Sequence, residues 1–521
     1  MKDWRIGIDV GGTNTDAVVL DNELNLVAAV KCPTPEDVMG GIRAAMASAL
    51  AQVDGARERI GYAMLGTTHC TNAIVERKRL DRVAVIRLGA PATAAIKPMV
   101  DWPADLREAI SDRWYLVGGG HEFDGREIAP LDEAELERIA AEIEGACDSV
   151  AITSVFSPVD ASHEKRAAEI VRARLGENFP VSISSEIGSV SLLERENATI
   201  LNAALVTVAK TTSESFVSAL AAEGIEHAEV YLCQNDGTLM SAAYAMRYPI
   251  LTIACGPTNS IRGASFLTGL KDAVVVDVGG TTADLGALTH GFPRESLLAV
   301  EIGGVRTNFR MPDIISIGLG GGSIVRRHED GSVTVGPDSV GYQVLTRALC
   351  FGGDVLTATD IAVASGAAEG VGDPSKVADL DPELVSAASA EMARMVEECV
   401  DKMKTSAGDI DVILVGGGSI LIPGELKGVS KVHKPENFGV ANAIGSAISQ
   451  VSGQIERIFS LDEMGRAEAL AMAKDLARQE AVKAGADPDT IEIIDVEDVP
   501  LAYLPGNATR VRVKAVGSLK L

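Results

Sequence analysis

Two stretches of the chain share a strand-like run, a glycine turn and a strand-end aspartate. The first is "RIGIDVGGTNTDAVVLD", Arg5 to Asp21, and the second is "AVVVDVGGTTADLGALT", Ala273 to Thr289. Aligning them pairs Asp9 with Asp277 and one Gly-Gly-Thr turn with the other. Glycines let a turn bring backbone N–H groups close to an anion, and an aspartate at a strand end can hold Mg²⁺. The repeat predicts two phosphate-binding turns.

We predict that both turns contact the phosphates of one nucleotide, through Gly11, Gly12, Thr13, Asn14, Thr15, Gly279, Gly280, Thr281 and Thr282. Asp9 and Asp277 are the predicted metal ligands and catalytic carboxylates. For a single turn, the alternative is a tight hairpin capped by its own aspartate. The duplication favours the functional interpretation. Asp16 and Asp284 lie on the returning strand, and they either point into the cleft or are simple polar strand residues.

Two other stretches supply candidate site residues. The apolar run "DVILV" is followed by a third glycine turn, which would let the backbone lie against an adenosine: Gly416, Gly417, Gly418 and Ser419. His69, at a predicted helix start in "GTTHCTNAIVER", is a candidate catalytic acid–base group or metal ligand. Cys70 is either a nucleophile activated by the helix N-terminus or a buried thiol. No other histidine has metal-binding spacing, and none is assigned as a ligand.

The elements that must position these residues alternate along the chain. Short apolar β-branched runs that end at Gly-Gly are typical of buried strands, and helical stretches separate them. One helix is predicted from Asp132, with Glu135 in capping spacing. Ser460 and Glu463 have the same spacing and predict the start of a C-terminal helix, before a closing strand in "RVRVKAV". The pattern predicts an α/β fold.

Composition limits the class of protein. The chain has 521 residues, 46% of them hydrophobic, and a formal charge of −26, which disfavours a nucleic-acid partner. No apolar run reaches the roughly 18 residues of a membrane span, and the N-terminus lacks a signal-peptide pattern. The seven cysteines are odd in number and form no Cys-x-x-Cys pair. We therefore expect a cytoplasmic protein without a membrane partner.

The three turns, in this order, resemble the phosphate-1, phosphate-2 and adenosine motifs of the actin, sugar kinase and Hsp70 ATPase superfamily. The closer resemblance is to the hydantoinase A-type chains of the hydantoinase/oxoprolinase family, and it extends to about Gln450. It is carried by the two repeats together with "LGTTHCTNAIVER", "LLERENATILNAAL", "CQNDGTLMSA", "GPTNSIRGA" and "SIGLGGGSIV". It implies two ribonuclease H-like (actin-like ATPase) domains around an ATP cleft, residues 1–190 and 191–455, and a small C-terminal appendix of residues 456–521.

The resemblance also implies an activity. Members of that family couple ATP hydrolysis to the opening of cyclic amides such as hydantoins, oxoproline or lactams, and related members carboxylate ketones. It therefore implies ATP and Mg²⁺ as cofactors, phosphorylation of an amide oxygen, and an oligomer that contains a second hydantoinase-type subunit. The alternatives are a small-molecule kinase, a non-enzymatic nucleotide switch and a ketone carboxylase subunit. The chain departs from the family pattern at Asn14, where an aromatic residue is usual, and in "GPTNSIRG", where Gly-Pro-Ala-Gly-Gly is common.

Overall fold

The computed structural model describes residues 3–12, 14–34, 38–111, 113–188, 190–296, 300–309, 311–462, 464–504 and 506–519. The strands are β1 Trp4–Val10, β2 Asn14–Leu20, β3 Leu26–Pro33, β4 Ile60–Thr67, β5 Val83–Ala90, β6 Trp114–Gly118, β7 Ser149–Ser154, β8 Val181–Ile183, β9 Glu229–Cys233, β10 Leu239–Ser241, β11 Ala273–Val278, β12 Ala283–Thr289, β13 Phe292–Pro293, β14 Val300–Ile302, β15 Val305–Thr307, β16 Ile314–Ile317, β17 Ser323–Arg327, β18 Val333–Ser339, β19 Ile410–Val415, β20 Val429–His433, β21 Val451–Ser460, β22 Glu492–Pro500 and β23 Ala508–Gly517.

The α-helices are α1 Val38–Leu50, α2 Ala56–Arg59, α3 His69–Glu76, α4 Ala104–Ile110, α5 Glu133–Ile143, α6 Ser162–Leu175, α7 Leu192–Ala204, α8 Val206–Ala222, α9 Ala242–Arg247, α10 Cys255–Thr268, α11 Val344–Arg347, α12 Ala358–Ala364, α13 Pro382–Met403, α14 Ala441–Ile448 and α15 Arg466–Lys483. Asp132 caps α5 as predicted, because its side chain accepts from the Glu135 N–H. No helix within the described ranges is long and apolar enough to cross a bilayer.

The largest sheet contains the first repeat. Its strand order is β22-β23-β21-β10-β9-β4-β1-β2-β3. Strands β1 and β2 form an antiparallel hairpin in which Asp9 lies opposite Asp16, and β4 runs parallel to β1. The sheet contains strands from all three predicted sequence ranges, since β9, β10 and the C-terminal strands belong to the same sheet as strands β1, β2, β3 and β4. The domain boundaries 1–190, 191–455 and 456–521 stay predictions.

A second sheet contains the second repeat and copies the first arrangement. Its order is β13-β12-β11-β19-β20, and β16 also pairs with β12. Asp277 lies opposite Asp284 in the β11–β12 hairpin, and β19 runs parallel to β11 as β4 does to β1. The sequence repeat therefore folds twice into the same hairpin beside a parallel strand, and we call these the first and second hairpins.

The C-terminal helix begins later than the sequence pattern indicates. The chain remains extended through Ser460, because that residue pairs with Ala508 at the end of the β21–β23 ladder. Helix α15 starts at Arg466, and Glu463 lies outside the described residues. A stripe of buried alanines packs the helix on its own sheet: Ala469, Ala473, Ala477 and Ala481. Pairing of the strand outweighs the local capping signal.

Candidate nucleotide and metal site

The two strand-end aspartates are joined by one helix. Asn259 and Ser260 are consecutive residues of α10. The Asn259 amide donates to Asp9 Oδ1 at 2.9 Å, and the Ser260 hydroxyl donates to Asp277 Oδ2. Each carboxylate belongs to a different hairpin, so α10 links the two halves of the site. The side chain of Asn442, near the start of α14, lies against both carboxyl groups.

Close backbone packing makes this linkage possible. A Cβ added at Gly263 of α10 would collide with the Ala441 carbonyl oxygen of α14. One added at Gly445 of α14 would collide with the Asn259 carbonyl oxygen. Glycine at both positions lets the helix backbones touch. A Cβ at Gly66, the β4 neighbour of Asp9, would overlap Asp9 Oδ1. The glycines thus define the space that the carboxylates occupy.

The site concentrates negative charge in a poorly solvated place. Burial raises the pKa of Asp9 to about 7, and the nearby charges of Asp16 and Asp277 add to that effect. Burial likewise raises the pKa of Asp16 and of Asp284 to about 6 and raises that of Asp277. Lys31 Nζ lies 2.7 Å from both oxygens of Asp16. Lys31 offsets the negative charge of Asp16 and Asp277, and it is not among the groups that act on Asp9 or Asp284. Carboxylate oxygens are ligands that a divalent cation prefers, so the donor chemistry of this cluster suits one.

Both glycine turns close in the same way. The Gly11 N–H donates to the Asn14 carbonyl at 2.9 Å, and the Gly279 N–H donates to the Thr282 carbonyl at 2.9 Å. Thr13, a predicted phosphate contact, lies outside the described residues. Matching hydrogen bonds at aligned positions show that the duplication extends to the detailed geometry of the turn.

The tips of the turns keep their donors available. Within the described ranges, no hydrogen bond uses the amide N–H of Gly12, Gly280 or Thr281. Successive amides of this kind form an anion-binding concavity. The buried Thr15 is different: its hydroxyl lies 3.0 Å from that of Thr34, which donates to the Gly11 carbonyl. Thr15 supports the turn from behind and presents no free donor to a ligand.

The second turn is also held from behind. The N–H groups of Gly321 and Gly322, from the loop "GLGGGSI", donate to the carbonyls of Gly279 and Gly280 at 3.0 and 2.7 Å. A Cβ at Gly320 would lie 2.5 Å from the Thr281 nitrogen. This glycine-rich loop therefore contacts the turn itself and donates to two of its carbonyl groups.

The third glycine turn lies against the same site. Gly416 has a φ of 82°, and a Cβ there would collide with Asp277 Oδ1. At Gly417 a Cβ would meet nothing within 4 Å, whereas Gly418 packs on the second turn. The Ser419 hydroxyl is buried without a hydrogen-bond partner in the described part of the chain. The predicted adenosine turn thus adjoins the second phosphate turn.

The described contacts of His69 and Cys70 are with residues other than the carboxylates. The ring Nδ1 of His69 contacts the Thr67 hydroxyl, and burial together with Arg79 lowers the pKa of this imidazole. No described hydrogen bond joins His69 to Asp9 or to Asp277. Burial raises the pKa of Cys70 to about 11, and its side chain belongs to a hydrophobic core. This favours the buried-thiol alternative, since a nucleophilic cysteine needs a lowered pKa.

One cluster was not apparent from sequence spacing. His121, Glu127 and His163 place ligand-type atoms within 4.8 Å of one another. The Gly120 N–H donates to His163 Nδ1 at 3.0 Å, so a neutral ring carries its proton on Nε2, which faces Glu127 at 3.2 Å. Both ring nitrogens of His163 have partners, whereas the buried Nδ1 of His121 has none in the described part of the chain.

Sequence reasoning missed the four polar residues that hold the aspartates, namely Lys31, Asn259, Ser260 and Asn442. The departure from Gly-Pro-Ala-Gly-Gly in "GPTNSIRG" was the available signal for two of them, because it places side chains where glycines are common. Nothing in the local sequence marks Lys31 or Asn442, whose role depends on long-range packing.

Comparison with known proteins identifies the family. The N-terminal region model of the hydantoinase/oxoprolinase family matches residues 5–175, and the hydantoinase/oxoprolinase model matches residues 195–370. The caprolactamase alpha subunit of Pseudomonas jessenii is 28% identical over 394 residues, which are 70% of this chain and 55% of that protein. The acetophenone carboxylase gamma subunit of Aromatoleum aromaticum is 27% identical over 394 residues, 69% of this chain and 53% of that protein.

The chain spans about half the length of the curated relatives it matches. The crystal structure of ATP-dependent caprolactamase from Pseudomonas jessenii superimposes with a TM-score of 0.74 at 20% identity, covering 99% of this chain and 88% of that one. This likeness confirms the expected α/β fold. The two family models together match more than half of the residues. The chain therefore belongs to the hydantoinase/oxoprolinase family.

Proposed function

We propose that this chain is the ATP-binding subunit of an enzyme that opens a cyclic amide by phosphorylating the amide oxygen. One observation carries the proposal: two equivalent hairpins point Asp9 and Asp277 at the same buried cluster, where α10 and α14 join them. A nucleotide between the hairpins would receive amide donors from Gly12, Gly280 and Thr281 on its phosphates.

The carboxylate cluster supports magnesium as the partner of ATP. Asp9 and Asp277 would hold the ion, and Asp16 with Lys31 would fix the charge balance around it. The fit rests on the raised pKa values of the four carboxyl groups, of which Lys31 offsets the charge of Asp16 and Asp277. Bound there, Mg²⁺ would supply positive charge against the negative charge of the phosphates.

The chemistry explains why ATP is needed. An amide is a poor electrophile. Attack of its oxygen on the γ-phosphorus forms an O–P bond, breaks the bond to ADP and gives an O-phosphorylated imidate. Water then adds to the imidate carbon, the C–N bond breaks with protonation of nitrogen, and a second water releases phosphate. The balance is one lactam, one ATP and two waters giving an amino acid, ADP and phosphate.

A second subunit is part of the proposal. The relatives are named as alpha and gamma subunits. The described site offers no nucleophile–base pair for the hydrolytic step, because Cys70 is buried with a raised pKa and the described side-chain contact of His69 is with Thr67. We expect a hetero-oligomer in which this chain activates the amide. The named carboxylase relative makes a ketone carboxylase subunit the second candidate.

Product analysis tests the function. The complex recovered from the native host by pull-down is incubated with Mg-ATP and a lactam or a ketone. A ring-opened amino acid with stoichiometric phosphate supports the proposal, and a carboxylated ketone supports the second candidate. A stable phosphorylated metabolite would identify a kinase, whereas ATP binding with no product would identify a switch. We expect the isolated chain to bind ATP and to turn over substrate poorly.

A further inference from the structure

Residues 119–128 form a hairpin between β6 and α5, which we call the histidine hairpin. His121 and Glu127 pair across it in an antiparallel bridge, and this pairing places their side chains next to each other on one face. The His121 N–H donates to the Val155 carbonyl at 3.1 Å, in the loop that follows β7. The hairpin therefore holds an imidazole and a carboxylate against a second loop of the chain.

The site lies at the carboxyl edge of a parallel sheet. Its strand order is β6-β5-β7-β8, so β6 lies on one side of β5 and β7, the next strand along the chain, lies on the other. The loops after β6 and β7 meet at the end of β5. There the Val155 N–H donates to the Leu88 carbonyl at 3.1 Å, and a Cβ at Gly120 would lie 2.9 Å from the same oxygen. Ligand sites in open parallel sheets form at such points.

The His121 ring is buried and makes no hydrogen bond to any residue that the structure describes. Only 2% of the residue is exposed, and its Nδ1 has no partner in that part of the chain. Its Nε2 faces Asp160 Oδ2 at 3.7 Å, which is too long for a hydrogen bond. Burial lowers the pKa of this imidazole, so the ring is neutral near pH 7 and one nitrogen keeps a lone pair. A buried polar group without a partner costs free energy, which a bound ligand would recover.

Asp160 is held with one carboxylate oxygen available. Its Oδ1 accepts from the Ser162 N–H at 2.8 Å at the start of α6, and its Oδ2 faces His121. Two ligand atoms about 2.1 Å from a tetrahedral metal ion lie about 3.4 Å apart. The 3.7 Å between His121 Nε2 and Asp160 Oδ2 is close to that separation.

Glu127 is oriented by His163. The Gly120 N–H donates to His163 Nδ1, so a neutral ring carries its proton on Nε2, which faces Glu127 Oε1 at 3.2 Å. A protonated nitrogen does not bind a metal ion, but its hydrogen bond fixes one carboxylate oxygen and leaves the other free. Ligand-type atoms of His121 and Glu127 lie within 4.8 Å of each other. Because the Glu127 side chain is exposed, it has room to close the remaining distance.

We propose that His121, Glu127 and Asp160 bind one divalent transition-metal ion of the zinc class. An imidazole nitrogen with two carboxylate oxygens suits Zn²⁺, whereas Mg²⁺ is bound through oxygen ligands. Three protein ligands leave a coordination position for water. The ligands follow strands of the four-stranded sheet, whereas Asp9 and Asp277 belong to the two other sheets. The proposed zinc site is therefore distinct from the carboxylate cluster.

A metal ion here would fasten the histidine hairpin to the loop after β7. Phe123, between the two paired residues of the hairpin, packs against an apolar group from the C-terminal region: Leu501, Leu504 and Ala508. The ion would therefore stabilise the contact between this hairpin and the C-terminal strands.

Zinc titration of the purified full chain tests the assignment. The chain is treated with EDTA and dialysed, and zinc affinity is then measured by competition with a chromophoric chelator. Excess Mg²⁺ is present to compete for the carboxylate cluster. We expect one Zn²⁺ per chain, and Co²⁺ in its place should give the visible absorption bands of a four- or five-coordinate site.

Variants of the ligands identify the site. Glu127→Gln and Asp160→Asn change side chains that are 54% and 43% exposed, and each should weaken zinc binding about tenfold or more. His121→Ala should do the same. Glu122→Gln is the matched control, because successive side chains of an extended segment point to opposite faces, and it should bind zinc normally.

Three results would overturn the inference. The first is normal zinc affinity in both Glu127→Gln and Asp160→Asn, which keep the test valid if His121→Ala misfolds. The second is an equal loss in Glu122→Gln. The third is an unmodified chain that binds no zinc in excess Mg²⁺, or one whose zinc is lost in Asp9→Asn and kept in Glu127→Gln. None of these results depends on the function proposed above, which Mg-ATP binding tests separately.

Discussion

Replacing Asn259 by alanine should weaken metal binding at the carboxylate cluster and shift its pH dependence upward. Asn259 donates to Asp9 Oδ1 at 2.9 Å in a buried setting, and this bond favours the ionised form of the aspartate. A metal ion binds the carboxylate only after its proton has left. With an Asp9 pKa of about 7, metal affinity should rise through the neutral range and level off above it.

The size of the expected pKa shift follows from the hydrogen bond to Asp9 that Asn259→Ala removes. A hydrogen bond to a charged group contributes about 1.5–3 kcal/mol, and a pKa unit corresponds to about 1.36 kcal/mol. The Asp9 pKa should therefore rise by about one to two units in Asn259→Ala. At pH 7 about half of Asp9 is already protonated in the unmodified chain, so the apparent affinity for Mn²⁺, used as a paramagnetic substitute for Mg²⁺, should fall roughly 5- to 50-fold and should recover with increasing pH.

Electron paramagnetic resonance titration of Mn²⁺ between pH 5.5 and 9 measures this directly. Ser446→Ala is the control, because the buried hydroxyl of this α14 residue donates to the Ala443 carbonyl at 2.7 Å, and no described hydrogen bond joins it to Asp9 or Asp277. It should match the unmodified chain at every pH. Equal affinities for Asn259→Ala and the unmodified chain, or an affinity that does not change with pH, would refute the reasoning.

Three other predictions concern the same region. When the pKa of a carboxyl group is higher in the folded protein than in the unfolded chain, the folded protein becomes less stable as pH rises from the unfolded to the folded pKa. Asp9→Asn should therefore raise Tm of the metal-free protein at pH 8 and not at pH 4. Equal Tm shifts at both pH values, measured by thermal unfolding in EDTA, would contradict this. Gly66→Ala adds a Cβ that overlaps Asp9 Oδ1 and should lower Mn²⁺ affinity at least tenfold in the same titration, whereas Gly465→Ala, in open space, should not. Cys70→Ser should keep normal Mg-ATP turnover in the complex, since the thiol is buried and protonated, and a loss above tenfold with an intact fold would restore Cys70 as a nucleophile.

Local patterns predicted the hairpins well. Asp-x-Gly-Gly-Thr after an apolar run defines strand, turn and carboxylate within ten residues, so two copies were enough to expect equivalent turns. The structure confirms this in the register of Asp9 opposite Asp16 and Asp277 opposite Asp284. The signal is local because a hairpin's register follows from its turn.

Long-range packing accounts for what the sequence did not show. Asn259 reaches Asp9 across 250 residues of chain, and no periodicity or capping pattern encodes such a contact. The predicted start of the C-terminal helix at Ser460 failed for a related reason. The β21–β23 ladder keeps Ser460 extended, and tertiary pairing overrides a local cap.

The central claim is that one ATP site is built from both hairpins, and calorimetry with Mg-ATP tests it most directly. Gly12→Val adds bulk at a turn tip where the protein itself leaves open space, so a loss of affinity reports on the ligand. Thr281→Val removes a hydroxyl and keeps the side-chain shape in the second turn. Gly465→Val, also in open space but far along the chain, is the control. We predict at least a tenfold loss of Mg-ATP affinity in each turn variant and none in the control; unchanged affinity in either turn variant would contradict a site shared by the two hairpins.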